Sequence, residues 1–138
     1  MKLPIRGGCA CGRVRYEIRA EPTMSGICHC RECQRSSGGD SASNLLVPLE
    51  AVTVAGTTRC REYVADSGSR VEHHFCPECG SQVYGKSAGM PGLAIRAGSL
   101  DDASWFRPQL HVFTSSARPW TTIPTDVPAF AKMPPGAS

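Results

Sequence analysis

The sequence predicts a mainly β fold with a few short helical turns, on three observations. Glycine and proline, 14 and 11 of the 138 residues, recur along the whole chain. No segment sustains the 3.6-residue apolar period of a long helix. Apolar and polar residues instead alternate over several short runs, the period of a strand with one wet face.

The elements follow in order. Val14, Tyr16 and Ile18 alternate with Arg13, Arg15, Glu17 and Arg19 and predict the first strand. Ser43–Val47 and Val52–Val54 predict two more, broken at Pro48. Arg59–Ala65 and Arg70–Phe75 flank Asp66-Ser67-Gly68-Ser69, whose turn-forming residues predict a hairpin. Gln82–Tyr84 and Leu93–Arg96 follow, separated by Gly89-Met90-Pro91-Gly92, and His111–Thr114 is the last short strand. Arg31–Ser36 and the N-capping carboxylates at Asp101-Asp102-Ala103-Ser104 each predict a single helical turn. The proline-containing tail from Thr121 to Ser138 is expected to pack as an extended arm that frays at its end. A chain of this length forms one domain able to bury roughly two thirds of its unfolded surface, so residues 1–138 are read as one unit.

Net charge is +3 with both signs interspersed, which leaves no basic stripe for nucleic acid. No apolar stretch approaches the roughly 20 residues of a membrane span, and Met1–Arg6 carries no apolar run of a secretory signal. The expectation is therefore a cytoplasmic protein with a small-molecule or protein partner, and with no nucleic acid or membrane partner.

Seven of the eight cysteines fall into three tight groups, Cys9-Ala10-Cys11, Cys28-His29-Cys30-Arg31-Glu32-Cys33 and Cys76-Pro77-Glu78-Cys79, with Cys60 alone. A disulfide framework fits poorly, because nothing routes the chain to an oxidising compartment and clustered thiols in a reducing one are ligands or catalysts. The spacing points to metal. Thiolates one or two residues apart on a turn share a space that suits tetrahedral Zn²⁺ at about 2.3 Å per Zn–S bond. Cys76-x-x-Cys79-Gly80 is half of such a shell, with the glycine supplying the positive φ of a knuckle. Spacing leaves its partner pair open between Cys9 with Cys11 and Cys30 with Cys33. Either way, four thiolates close one site and three leave a second one open, the pattern of a catalytic ion.

Gly7-Gly8-Cys9-x-Cys11-Gly12-x-Val14-x-Tyr16, Cys28-His29-Cys30-x-x-Cys33, Phe75-Cys76-x-x-Cys79-Gly80-Ser81, Ala97-Gly98-Ser99-Leu100-Asp101-Asp102 and Pro108-x-x-His111-Val112-Phe113 before Trp120 resemble the family of the glutathione-dependent formaldehyde-activating enzyme and centromere protein V. The resemblance runs in order over about residues 7–130. It implies a small zinc-bearing β-tent domain. It also implies a structural zinc on Cys9, Cys11, Cys76 and Cys79, and a second, catalytic zinc on Cys28, Cys30 and Cys33. The activity implied is a carbon–sulfur lyase or synthase reaction that joins the thiol of glutathione to formaldehyde.

Beside the triplet, Arg31 and Arg35 could hold the carboxylates of an anionic thiol; their plain alternative is solvated surface charge. His111 matches a family motif and is a further substrate-binding candidate, against a satisfied structural histidine. His29 is expected to point away from the site, His73 and His74 to be structural, Cys60 to be a small buried hydrophobe, and Trp105 and Trp120 to pack in the core or a lid. The competing functional class is a non-enzymatic zinc module that binds a protein partner. A chromatin factor would want a basic tail that the chain lacks.

Overall fold

The computed structural model describes residues 1–135; the expected fraying of the last three residues lies outside them. The protein is mainly β, built from two sheets. Strands β1 (Ile5–Gly8), β2 (Arg15–Ile18) and β5 (Val52–Ala55) form an antiparallel three-stranded sheet in the order β1-β2-β5. The larger sheet uses β3 (Met24–Cys28), β4 (Ala42–Val47), β6 (Arg59–Val64), β7 (Arg70–Phe75), β8 (Gln82–Ser87), β9 (Leu93–Arg96) and β10 (Leu110–Val112). Its order is β10-β3-β4-β9-β8-β7-β6, antiparallel throughout except for the parallel pair of β10 with β3. One helix, α1 (Arg31–Ser37), follows β3.

The two sheets face each other across the core. Ile5, Val14, Tyr16 and Ile18 from the small sheet pack with Leu45, Val47, Val83, Leu93 and Ile95 from the large one. The alternation that marks β2 in the sequence is thus the alternation of its buried face. Leu45 and Ile95 are cross-strand partners and fully buried. Ile95→Ala should therefore cost about 2–5 kcal/mol by thermal or denaturant melting, since transfer and cavity costs add at a closed site. The other face of β4 and β9 carries Asn44, Leu46, Ala94 and Arg96, which line a cavity. One sheet thus separates the core from the functional cleft.

The hairpin β6–β7 forms about the expected turn, closed by Gly68 N–H to the Ala65 carbonyl at 2.9 Å. Two strands escape the sequence pattern. Strand β1 ends in Gly7-Gly8, where a Cβ on Gly7 would run into the Tyr16 ring and the Ser99 backbone, so packing demands residues with no strand propensity. Met24–Cys28 is only half-buried and shows no alternation, although it lies inside the sheet between β10 and β4. The predicted helical turn at residues 101–104 is instead an Asx turn, with Asp102 accepting from Ser104 N–H and Oγ. The helical turn forms just before it, at Ala97–Ser99.

The arm after residue 121 is held extended where it runs beside β10: His111 N–H donates to the Pro128 carbonyl, and Phe130 N–H to the His111 carbonyl. Trp105 packs on the core, but Trp120 is 72 % exposed and covers nothing. Cys60 also departs from expectation. Its strand is the edge of the large sheet, and the thiol is exposed where no further layer covers it.

Candidate metal centres and the cleft

The first centre joins two hairpin loops from different sheets. Cys9 and Cys11 sit between β1 and β2, Cys76 and Cys79 between β7 and β8. Their four Sγ atoms lie within 4.8 Å of one another. Cys9 Sγ is 3.6 Å from Cys11 Sγ, which is 3.7 Å from Cys76 Sγ. Thiolates at 2.3 Å on a tetrahedron stand about 3.8 Å apart, so these four could hold a metal ion.

Both loops are knuckles of the same kind. Gly12 and Gly80 follow the second cysteine of each pair at φ of 81° and 77°, the left-handed conformation that glycine adopts without strain. Val14 N–H donates to Cys9 Sγ at 3.2 Å, and Gly80 N–H to the Cys76 carbonyl at 2.8 Å. Ser81 ties the loops together, its Oγ accepting from Ala10 N–H and lying 3.3 Å from Cys79 Sγ. Hydrogen bonds from the Ser81 side chain and backbone hold the Cys79 thiol down at about 5, favouring the thiolate that ligation requires.

The second group is the triplet. Cys28 ends β3, Cys30 is the N-cap of α1 and Cys33 lies in its first turn, with the three Sγ atoms within 4.8 Å of one another. Cys33 N–H donates to Cys30 Sγ at 3.3 Å. Hydrogen bonds from the Cys28 and Cys33 thiols, with this backbone donor, hold Cys30 far below its ordinary value, while the same contacts keep Cys28 protonated. Three sulfurs leave one tetrahedral position, and Cys28, Cys30 and Cys33 all line the cleft.

Helix α1 is fixed from behind. Gln34 donates through Nε2 to the His29 carbonyl at 2.7 Å and the Ser116 carbonyl at 2.9 Å, both from a buried position. His29 does point away: it is buried, stacked on His111, with Nε2 2.9 Å from His111 Nδ1. At the rim, Glu32 pairs with Arg61 at 2.7 Å and links α1 to β6.

The cleft has a volume of about 480 Å³. Among the residues singled out in the sequence for substrate binding, Arg31 lines it, with its guanidinium on Gln34 Oε1. Arg35 and His111 do not. Arg35 is exposed one turn further along the helix, beyond the cleft lining, and His111 is buried against His29.

Other residues take those places. Arg96 donates to Asn44 Oδ1 at 2.7 Å and Gln82 Oε1 at 3.1 Å, while its Nη2 is buried with no partner. Tyr63 and His73 also line the cleft. His73 is buried, meets Tyr63 edge to face, and is pushed down to about 4 by burial and by Arg96 and Arg61, which leaves it neutral. Burial and the nearby thiols push the Tyr63 hydroxyl up. His73, read from the sequence as structural, lines the cleft, whereas His74, one residue on, faces the opposite side of the sheet. The alternation of Tyr63, Val71 and His73 along β6 and β7 was the signal available in the sequence; which face met the triplet was not.

Residues 4–116 match the family described as glutathione-dependent formaldehyde-activating enzyme. A protein of Penicillium rubens is 27 % identical over 116 residues, covering 81 % of this chain and 60 % of that protein. One of Phaeosphaeria nodorum is 24 % identical over 112 residues, 78 % of this chain and 58 % of that protein. The names of both provisionally assign them as glutathione-dependent formaldehyde-activating enzymes. The chain spans about three fifths of the length of these curated relatives. A crystal structure of a Rhodobacter sphaeroides protein shares the fold, with a TM-score of 0.54 at 22 % identity over 75 % of this chain and 91 % of that one. No helix among the described residues is long and apolar enough to cross a membrane. Since the family match runs unbroken through both knuckles, the triplet and the strands that carry them, this chain belongs to the glutathione-dependent formaldehyde-activating enzyme family.

Proposed function

We propose that the protein is a zinc-dependent carbon–sulfur lyase or synthase that reversibly joins the thiol of glutathione, or of a similarly charged thiol, to formaldehyde. The first centre would hold a structural Zn²⁺ and the triplet a catalytic one. The observation that carries the reading is a three-thiolate group at the wall of a cleft that also presents a buried guanidinium nitrogen with no partner.

A cleft of about 480 Å³ lies in the range for ligands of tripeptide size. Its charges also suit glutathione. Arg31 and Arg96 stand where two carboxylates would lie, and Glu32 and Asp66 where one ammonium would. An ion on the triplet would supply a soft position at which an incoming thiol loses its proton. The remaining work belongs to the protein. Arg96, braced by Asn44 and Gln82, orients the substrate so that its sulfur reaches the carbonyl carbon. As the new C–S bond forms, the C=O π pair moves to oxygen, which takes up the proton the thiol gave up. Tyr63 and neutral His73 stand in the cleft as the groups able to donate to that oxygen.

The test is exchange between formaldehyde and S-hydroxymethylglutathione, measured above the uncatalysed rate. Arg96→Gln should raise KM for glutathione about tenfold or more with a smaller change in kcat, because the carboxylate contact exists in ground and transition states alike. Equal exchange with protein and with buffer would favour the zinc module that binds a protein partner.

A further inference from the structure

Strands β6 and β7 have two faces. Tyr63, Val71 and His73 on one face line the cleft. On the other, Cys60 and His74 are direct cross-strand partners, and Glu72 lies two residues before His74, diagonal to Cys60. We propose that Cys60, Glu72 and His74 form a third cation site, for a divalent ion of the Zn²⁺ class, on the face turned away from the cleft.

The geometry is that of a ligand shell. Cys60 Sγ stands 3.5 Å from Glu72 Oε1, which is 3.2 Å from His74 Nε2, and the three atoms lie within 4.8 Å of one another. Ligands at 2.0–2.3 Å on a tetrahedron stand roughly 3.3–3.6 Å apart. One thiolate, one imidazole and one carboxylate is also a donor set that zinc accepts, with a fourth position left for water.

The second observation is the support behind the histidine. His74 Nδ1 is 2.9 Å from Thr58 Oγ1, and its ring stacks on Tyr84 at 4.4 Å between centroids. With Nδ1–H donating to Thr58, Nε2 keeps its lone pair aimed at the gap between Cys60 and Glu72, the outer-sphere arrangement typical of ligating histidines. Without an ion, partial desolvation and the Glu72 carboxylate push the Cys60 thiol up. Binding would release that proton to solvent, so the bound thiolate and carboxylate balance the dication. Nearby charges are Lys86, opposite Glu72 on β8, and the Arg70–Glu62 pair at 2.8 Å on the same hairpin.

The experiment is a Zn²⁺ titration of the full chain, purified under reducing conditions, against a competing chelator, with parent, Cys60→Ser and Thr58→Val compared. All seven clustered cysteines remain in each variant, so the other two centres contribute equally. The parent should bind one equivalent more than Cys60→Ser. Thr58→Val should keep that equivalent with affinity weakened about 10- to 100-fold. In a parallel Co²⁺ titration, the last equivalent should bring thiolate-to-metal charge transfer in the parent and none in Cys60→Ser. Equal stoichiometry in parent and Cys60→Ser, or a last equivalent with no thiolate band, would overturn the site. Neither outcome touches the proposed lyase activity, whose assay Cys60→Ser should pass at the parent rate.

Discussion

Cys79→Ser is expected to leave a chain that is unfolded or insoluble, although Cys79 itself is exposed. The loss would come through the ion. The knuckle of β1–β2 belongs to the small sheet and that of β7–β8 to the large one, so an ion on the four thiolates would fasten the two sheets that enclose the core. Structural zinc contributes about 10–16 kcal/mol in small domains, against a net stability of roughly 5–15 kcal/mol. Beyond the apolar core that the sheets share, the polar ties between them are wetter: Tyr16 Oη to Ser99 Oγ at 2.7 Å, the exposed Arg15–Asp101 pair, and Asp101 N–H to the Arg6 carbonyl. Exposed ion pairs contribute about 1 kcal/mol or less each. Melting and zinc content of the purified variant check the expectation. A Cys79→Ser protein that melts with the parent and retains its zinc would remove the first centre from the fold. Cys60→Ser, measured alongside without added metal, should melt like the parent and shows what a serine for an exposed cysteine costs by itself.

Cys30→Ser is expected to bring exchange between formaldehyde and S-hydroxymethylglutathione down to the uncatalysed rate with the fold intact. The position makes this substitution unusually clean. Cys30 is the N-cap of α1 and accepts from Cys33 N–H. Serine is among the best N-cap residues and can take the same bond, so the helix and the strands around it should persist. What disappears is one of the three soft ligands. Circular dichroism and metal counting should show a folded chain that still carries the ion of the first centre but has lost that of the triplet. Parent-like turnover by this variant would overturn the catalytic role of the triplet. Mild chelation should reproduce the loss of activity in the parent before the four thiols of the first centre become reactive, because the triplet has three ligands and opens on the cleft.

Local features were legible in the residues alone. Strand β9 at Leu93–Arg96 and strand β7 at Arg70–Phe75 are where the pattern puts them, because alternation and flanking turn residues act over a few positions. Gly12 and Gly80 show why: each marks a positive φ that the knuckle needs whatever surrounds it. Spacing could not say which pair completes the Cys76–Cys79 half-shell, and only the resemblance to a known family pointed to Cys9 and Cys11. The structure puts those four sulfurs together because two hairpins, some 65 residues apart in sequence, end at the same place.

What tertiary structure alone decided is which face looks where. Arg31 and Arg35 share one side of a short helix, yet only Arg31, a turn nearer the triplet's start, lines the cleft. His73 and His74 are neighbours, and the pleat sends one into the cleft and the other to Cys60 and Glu72 on the opposite side. Arg96 read as the end of a strand, and its unpartnered Nη2 gains meaning only when α1 and β7 arrive from distant parts of the chain. Residue chemistry and short-range conformation are written in the sequence. The convergence of groups far apart along it depends on how the two sheets pack, and no local pattern encodes that.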